Sequence, residues 1–380
     1  MKPYSRREFL SKSLSAAAAV GAAGALQGCP EAPATPVNPT DVAARVCTIR
    51  GRDLAEMTRQ VLAQWGGAET IINPGETVFI KLNLMSAGLM SGNIMTRGEC
   101  TKLEIVIAAA EECLKAGAGK VVIGDAAQVD RFSWDTITTL DGTVSFTEEA
   151  QRLNTLYGDK VQLACLGSDS PAWIEIPSPY TNLGTIRISS LVMDADKIIS
   201  IPVMKTHMFT KVTFSIKNML GVTPALGIGI GPLKSRMDMH AAAGGIEQSF
   251  LDVVTALKPN FAIIDGSLCC EGNGPGALGG FFSNRVDMRE RLGDFVLMAS
   301  DDLVAADATA SRMIGQDPAK VKHLRLAYEQ GLGQMQEDLI EVEGESLDSL
   351  LVEWKEACLA KSLPPGVENI PPYNCLKFSR

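Results

Sequence analysis

The chain has 380 residues, of which 46% are hydrophobic and 21% are charged, and its formal net charge at pH 7 is −9. This length is sufficient for a large hydrophobic core, in one α/β domain or in two lobes. The acidic balance argues against nucleic acid as a partner, because binding to nucleic acid depends on a positively charged surface.

The first 29 residues show the order of features that is typical of an export signal. The adjacent pair Arg6 and Arg7 precedes an Ala- and Gly-rich apolar stretch at 14–26, which is too short to span a bilayer. The sequence Leu-Gln-Gly-Cys then ends at Cys29, where a bacterial lipoprotein would be cleaved and lipidated. We therefore predict that residues 1–29 are a twin-arginine signal peptide with a lipobox. Cleavage near this point without lipidation is the competing interpretation.

This signal sets the expected localisation and partners. We expect a lipoprotein that the twin-arginine machinery exports and that its lipid anchors in a membrane, facing the periplasm or the cell exterior. The signal carries four basic residues and one acidic residue, so its removal changes the formal net charge from −9 to −12. Residues 30–45 are rich in Pro and Ala and predict a flexible tether, and residues 46–380 are expected to form the α/β domain. No later run of 18 apolar residues predicts a membrane-spanning helix.

After the tether, the hydrophobic pattern alternates between helix and strand. Helical periodicity at 53–65 and 103–116 flanks an apolar strand at 78–82, and another strand follows at 120–124. This order predicts a mainly parallel sheet with helices packed on it, possibly in two lobes. The remaining predicted elements are strands at 197–203, 261–264 and 295–299 and helices at 302–314 and from 317 onward.

Polar side chains follow four of the predicted strands, at the edge where open parallel sheets bind their ligands. One polar residue at a strand end is ordinary because the chain reaches water there, but a group that converges on one edge indicates a site. The candidates outside the basic segment described next are Asn83, Asp125, Asp265 and, in the glycine-rich turn at 271–276, Glu271, Asn273 and Gly274. The turn could bind an anion through its backbone amides or could be purely structural.

The segment 205–240 concentrates positive charge in an acidic chain. Convergent lysines hold phosphate or carboxylate through charge-assisted hydrogen bonds, glycines at 227–231 allow backbone amides to approach an anion, and histidine serves as an acid or base near neutral pH. The candidate catalytic or ligand-binding residues are Lys205, His207, Lys217, Asn218, Lys234 and His240. The alternatives are a solvated basic loop and a structural ion pair between Lys217 and a buried carboxylate such as Asp307.

The same region also allows a metal or redox site. His207 and His240 could ligate a metal together with Asp265 or Glu271, and the adjacent cysteines 269 and 270 could serve as ligands, redox groups or packing residues. The nine cysteines include no C-x-x-C pair, so a ferredoxin-type cluster motif is absent and the cofactor is unknown. A third possibility is a lipoprotein that binds a solute without converting it.

Several segments together resemble one known family. They are IKLNL (80–84), VVIGDA (121–126), IISIPVMKTHMFTKVTFSIKNMLG (198–221), residues 234–240, AIIDGSLCCEGNGPG (262–276) and SDDLVAADATASRMIGQDP (300–318). In this order they are similar to the bacterial and archaeal family called domain of unknown function 362. The resemblance implies the fold and a candidate site, but no reaction. Some relatives carry a ferredoxin-like domain and the family is often described as iron–sulfur associated, whereas this chain lacks clustered cysteines.

Overall fold

The computed structural model describes residues 42–225, 236–243, 245–272, 274 and 283–357. The predicted signal peptide with Arg6, Arg7 and Cys29 lies outside these ranges, as do the candidates Lys234 and Asn273. Ala44 and Arg45, which the sequence places at the end of the tether, are the first residues of a strand.

Strands and helices alternate along the described ranges. The strands are β1 (Ala44–Gly51), β2 (Thr77–Leu82), β3 (Lys120–Asp125), β4 (Val161–Cys165), β5 (Trp173–Ser178), β6 (Gly184–Ser189), β7 (Lys197–Ile201), β8 (Val203–His207), β9 (Lys211–Thr213), β10 (Phe261–Gly272), β11 (Ser283–Asp287), β12 (Phe295–Ser300) and β13 (Ile340–Gly344). The helices are α1 (Leu54–Trp65), α2 (Leu103–Lys115), α3 (Phe146–Tyr157), α4 (Leu166–Asp169), α5 (Ser190–Met193), α6 (Ser215–Asn218), α7 (Arg236–Ala241), α8 (Gly245–Leu257), α9 (Met288–Leu292), α10 (Leu303–Met313), α11 (Lys322–Glu329) and α12 (Leu347–Leu350).

Eleven of the described strands form one mixed sheet, and β5 and β6 form a separate antiparallel pair. The main order is β13-β1-β12-β10-β7-β2-β3-β4, while β8 and β11 also pair with β10, and β9 pairs with β8. The run from β10 through β7, β2 and β3 to β4 is parallel, which confirms the predicted parallel sheet with packed helices. β12 is antiparallel to both β1 and β10. The sequence does not predict this reversal, because a buried strand is apolar whichever way it runs.

Two predicted strands differ from those observed. The segment predicted as one strand at 197–203 is two strands, β7 and β8, separated by Pro202, which has no N–H to continue a ladder. The strand predicted at 261–264 continues as β10 to Gly272. Asp265 and Glu271 therefore lie within a strand and not beyond its end.

Local sequence signals account for the helix boundaries near the sheet. The side chain of Asp53 accepts the amide of Glu56 at the start of α1, and Gly66 ends that helix with φ of 116°. Ser145 and Glu148 form a capping box at the start of α3. Within the described residues, no helix is both long enough and apolar enough to cross a membrane.

Candidate functional site

A buried ion pair between Lys81 and Asp125 lies where β2 and β3 end. Lys81 Nζ is 2.8 Å from Asp125 Oδ1 and 3.2 Å from Asn218 Oδ1, and it also donates to the carbonyl of Leu82. The amide of Leu84 donates to the second oxygen of Asp125 at 2.7 Å. Because an ammonium group has three N–H donors, Lys81 is saturated. The predicted candidates Asp125 and Asn218 do meet, but around a lysine that holds them as structural partners.

A second neutralised pair joins the segment before α2 to β10. Lys102 Nζ is 3.2 Å from Asp265 Oδ2 and donates to the carbonyls of Cys100 and Leu268 at 2.8 and 2.7 Å. The other oxygen of Asp265 accepts the amide of Ser267 at 3.0 Å. Lys102 and Asp265 are both fully buried. The prediction that Asp265 orients a substrate or ligates a metal is therefore not supported, because a lysine occupies its carboxylate.

Lys205 is buried without a carboxylate partner in the described part of the chain. It is 1% exposed, and its Nζ donates to Asn83 Oδ1 and to the carbonyl of Glu99, both at 2.9 Å. Asn83 and Lys205 therefore meet at the sheet edge as predicted. Burial lowers the pKa of Lys205, and electrostatic interactions with the nearby Cys100 and Cys270 act in the opposite direction. One of its three N–H donors has no acceptor among the described residues.

Lys217 on α6 has the fewest partners of these lysines. It is partly buried, and its Nζ contacts Thr210 Oγ1 at 2.9 Å. The Thr210 hydroxyl donates its own proton to the carbonyl of Val212 at 3.0 Å, so it accepts from Lys217. Burial, reinforced by the charge of Lys205, lowers the pKa of Lys217 well below its ordinary value. An ammonium at this position would have two N–H donors without an acceptor in the part of the chain that the structure describes.

The ion pair between Lys217 and Asp307 that the sequence allowed is not found. Asp307 accepts the backbone amides of Ser215 at 2.8 Å and Ile216 at 3.0 Å, at the start of α6. Burial raises the pKa of Asp307 to about 7, although these donors act in the opposite direction. Asp307 positions the helix that carries Lys217, but it does not neutralise the lysine.

The rings of His207 and His240 both pack against the Phe209 ring. The ring centroids are 5.6 Å apart for His207 and Phe209 and 5.3 Å apart for Phe209 and His240. His207 Nδ1 accepts the amide of Phe209 at 3.1 Å, so the proton of the neutral ring is on Nε2. Burial and the charge of Lys217 lower the pKa of both histidines, that of His240 to about 4. Both rings are therefore neutral at pH 7, and His207 has an N–H donor to offer.

His323 on α11 is a third member of this group that sequence reasoning missed. Its side chain is fully buried, its ring centroid is 5.7 Å from that of Phe250, and neither ring nitrogen has a partner among the described residues. Burial, followed by the charge of Lys217, lowers its pKa to about 3. All three histidines of the chain thus lie within electrostatic range of Lys217.

Of the three candidates in the segment 271–276, Glu271 and Gly274 are among the described residues, and each has a structural explanation. The Glu271 carboxylate forms two hydrogen bonds with Arg291, at 2.9 and 2.8 Å, and accepts the amide of Lys355 at 2.8 Å. A Cβ at Gly274 would lie 2.5 Å from the carbonyl oxygen of Thr206, so this close approach requires glycine. Glu271 is therefore held by arginine and is not free to bind a ligand.

A metal centre does not fit the described residues. No group of three or more His, Cys, Asp or Glu side chains in the described ranges could hold a metal ion. His207 Nδ1 is occupied by a backbone N–H donor, and its Nε2 carries the proton, which is the wrong tautomer for a ligand. Burial raises the pKa of the Cys100 and Cys270 thiols to about 11, so neither is a thiolate near neutral pH.

The chain is similar to a thylakoid-associated protein of Synechocystis sp., with 25% identity over 276 residues that cover 72% of this chain and 74% of that protein. Two solved structures are distant matches, and this chain spans about half of each. One is a Thermotoga maritima protein with 14% identity and a TM-score of 0.34. The match covers 59% of this chain and 53% of that protein. The other is the lactate racemase apoprotein of Thermoanaerobacterium thermosaccharolyticum, with 12% identity and a TM-score of 0.33. The match covers 60% of this chain and 52% of that protein.

Most of the residues of this arrangement lie in a segment that matches a family model. The match to the family model runs from residue 78, in β2, to residue 312, near the end of α10, and so includes the three buried lysines, the partly buried Lys217, His207 and His240. His323 lies beyond that range. With more than half of its length matched, the chain belongs to the family described as domain of unknown function (DUF362).

Proposed function

We propose that this chain binds a small molecule through its phosphate or carboxylate group, between Lys205 and Lys217. The observation that carries the proposal is the difference among four buried or partly buried lysines. Among the described residues, Lys81 and Lys102 each have three acceptors, including a carboxylate, whereas Lys205 has two acceptors and Lys217 has one, and neither of these two has a carboxylate. An anion between the two would accept the uncommitted N–H groups.

The charge balance around Lys217 supports an anionic ligand. The internal residues outside the described ranges contain no Asp or Glu, so they cannot neutralise the two lysines. Glu247, the carboxylate that raises the pKa of Lys217, acts from a distance and is paired with Lys322 at 3.7 Å. His207 adds a neutral N–H donor. A buried cluster of this kind gains stability when a negative charge enters it.

Removing the amine of Lys217 is expected to weaken phosphate binding. A charge-assisted hydrogen bond contributes about 1.5–3 kcal/mol, so the phosphate affinity of Lys217→Met should fall by roughly tenfold or more. Isothermal titration calorimetry with inorganic phosphate measures this change. Lys320→Met is the matched control, because Lys320 is an exposed lysine whose nearest carboxylate is Asp317 at 3.8 Å.

Two outcomes would contradict the proposal. Wild-type protein that binds neither phosphate nor a simple carboxylate has no anion site, and an equal loss of affinity in Lys217→Met and Lys320→Met would indicate nonspecific attraction. Turnover assays on any ligand found then separate an enzyme from a solute-binding protein. Saturable binding without conversion would favour the latter.

We also propose that the chain is exported and anchored as a lipoprotein. The support is the order of the arginine pair, the apolar stretch and the lipobox in residues 1–29, together with the tether that follows. The similar protein from Synechocystis sp. is named for its association with a membrane system, which is in keeping with a membrane-anchored chain.

Changing Arg6 and Arg7 together to lysine is expected to block export. The twin-arginine receptor reads the arginine pair as an address, so a like-charged pair should not replace it. Fractionation of cells that express the tagged wild type and the double variant measures this. Cys29→Ala should still be exported but should lack the lipid, which mass spectrometry of the processed protein detects. Unchanged export of the double variant would refute the route, and an unlipidated wild type would refute the anchor.

A further inference from the structure

One face of the hairpin formed by β8 and β9 carries four polar side chains. The two strands are antiparallel, with Lys205 opposite Thr213 and, nearer the tip of the hairpin, His207 opposite Lys211. Residues that are paired across such a ladder point to the same face, and so do residues two apart on one strand. Two lysines, a histidine and a threonine therefore share this face, and it includes Lys205 of the proposed anion site.

Thr213 is a buried member of this face with an unused hydroxyl. Its side chain is 4% exposed, and its Oγ1 has no hydrogen-bond partner among the described residues. Lys205, directly opposite, has one N–H donor without an acceptor in the same described ranges. Because a buried polar group is costly to leave unpaired, an acidic group bound beside Lys205 would also accept the hydroxyl proton of Thr213.

Lys211, near the tip of the hairpin, has an unusual backbone conformation for a lysine. Its φ is 61°, in the left-handed region that favours glycine, and its side chain is partly exposed. No carboxylate of the described residues forms an ion pair with it. A lysine in this conformation costs stability that glycine would not, which indicates that its ammonium contributes an interaction that glycine cannot supply.

We propose that Lys211 binds a second acidic group, so that the ligand of the proposed anion site is a small molecule with two acidic groups, such as a short dicarboxylate. The inference rests on the proposed anion site and names the class of its ligand. Lys205 and Lys211 are diagonal neighbours on the hairpin, with Cα atoms about 7–8 Å apart. Asn83 and the carbonyl of Glu99 hold the Lys205 ammonium in place. Two carboxylates joined by a short carbon chain can therefore contact both lysines, whereas a single carboxylate leaves Lys211 without a partner.

Succinate and butyrate test the second acidic group. They have the same number of carbon atoms, but succinate carries a carboxylate where butyrate ends in a methyl group. A charge-assisted hydrogen bond to Lys211 should make the affinity of the wild type for succinate, counted per carboxylate, roughly tenfold or more above that for butyrate. Isothermal titration calorimetry on the full-length chain at pH 7 measures both affinities. In Lys211→Gly the ratio of the two affinities should fall close to one.

Lys258→Gly is the matched control for this change. Lys258 is an exposed lysine that also has a positive φ, of 47°. It precedes β10, whereas the hairpin follows the end of β7, and β7 and β10 are parallel, so Lys258 lies at the opposite edge of the sheet. Both glycine variants should be as stable as the wild type or more so, because glycine adopts a positive φ without strain. Lys211→Asn, which also tolerates a positive φ, repeats the test if glycine disturbs the hairpin.

The outcomes separate this inference from the anion site on which it rests. If phosphate or butyrate binds but succinate binds no more tightly per carboxylate, the anion site stands and the second acidic group is refuted. If phosphate, butyrate and succinate all fail to bind, both proposals are refuted. A ratio of affinities that Lys211→Gly leaves unchanged, or that Lys258→Gly lowers equally, also overturns the assignment to Lys211.

Discussion

Replacing Lys81 by methionine is expected to lower the free energy of unfolding by about 3–5 kcal/mol, because the change leaves the Asp125 carboxylate buried without its cation. Lys81 is fully buried, Asp125 is 3% exposed, and their charged atoms are 2.8 Å apart. The same change at Lys217 should leave the free energy of unfolding unchanged or raise it. No carboxylate of the described residues forms an ion pair with Lys217, and the change removes an amine that is costly to bury.

Chemical denaturation of the two variants and the wild type, without added anions, measures this contrast. The substitution is identical at both positions, so the difference between the variants reports the partner and not the loss of a long side chain. Phosphate should raise the stability of the wild type and should have a smaller effect on Lys217→Met. A loss of several kcal/mol in Lys217→Met would show that the lysine has a structural partner, and the anion site would have to be abandoned.

The sequence predicts the parallel part of the sheet well. The strands at 78–82 and 120–124, with a helix between them, follow from hydrophobic periodicity and from the glycines that end the helix. The antiparallel position of β12 and the break at Pro202 depend on how strands pair in three dimensions. Periodicity within one segment carries no information about that pairing.

The sequence identifies the region of the site but not the pairing of its charges. Lys81 lies near the end of an otherwise apolar strand and Lys102 directly before a helix, so neither stands out as a site residue, yet they neutralise Asp125 and Asp265. His323 is far from the basic segment along the chain, and it comes within electrostatic range of Lys217 in a fold in which α11 packs against α8. A lysine in an otherwise apolar strand is the signal that could have identified Lys81, since a buried ammonium requires a counter-ion.

The buried His323 ring is expected to make the protein sensitive to acid. Its pKa in the folded state is about 3, below the value of about 6.5 for an unfolded chain. Below pH 6.5 the unfolded state takes up a proton that the folded state does not, so unfolding becomes more favourable as the pH falls. The stabilisation from the neutral ring is fully present above pH 6.5. It is lost at about 1.4 kcal/mol per pH unit on acidification, until the folded pKa is reached.

His323→Phe should therefore be less sensitive to acid than the wild type. Between pH 6.5 and 4.5 the wild type should lose about 2 kcal/mol more free energy of unfolding than the variant. At pH 7 the variant should be as stable as the wild type or more so, because phenylalanine keeps the ring contact with Phe250 and removes two nitrogens without partners. His207, His240 and Asp307 also titrate differently in the folded state, but they are present in both proteins and cancel in the difference. Denaturation curves at pH 7, 6.5 and 4.5 test this, with His323→Met as a second variant if phenylalanine does not fit. Parallel acid profiles for the wild type and both variants would show that His323 is paired or hydrated in solution, and that its ring does not make the folded state sensitive to acid.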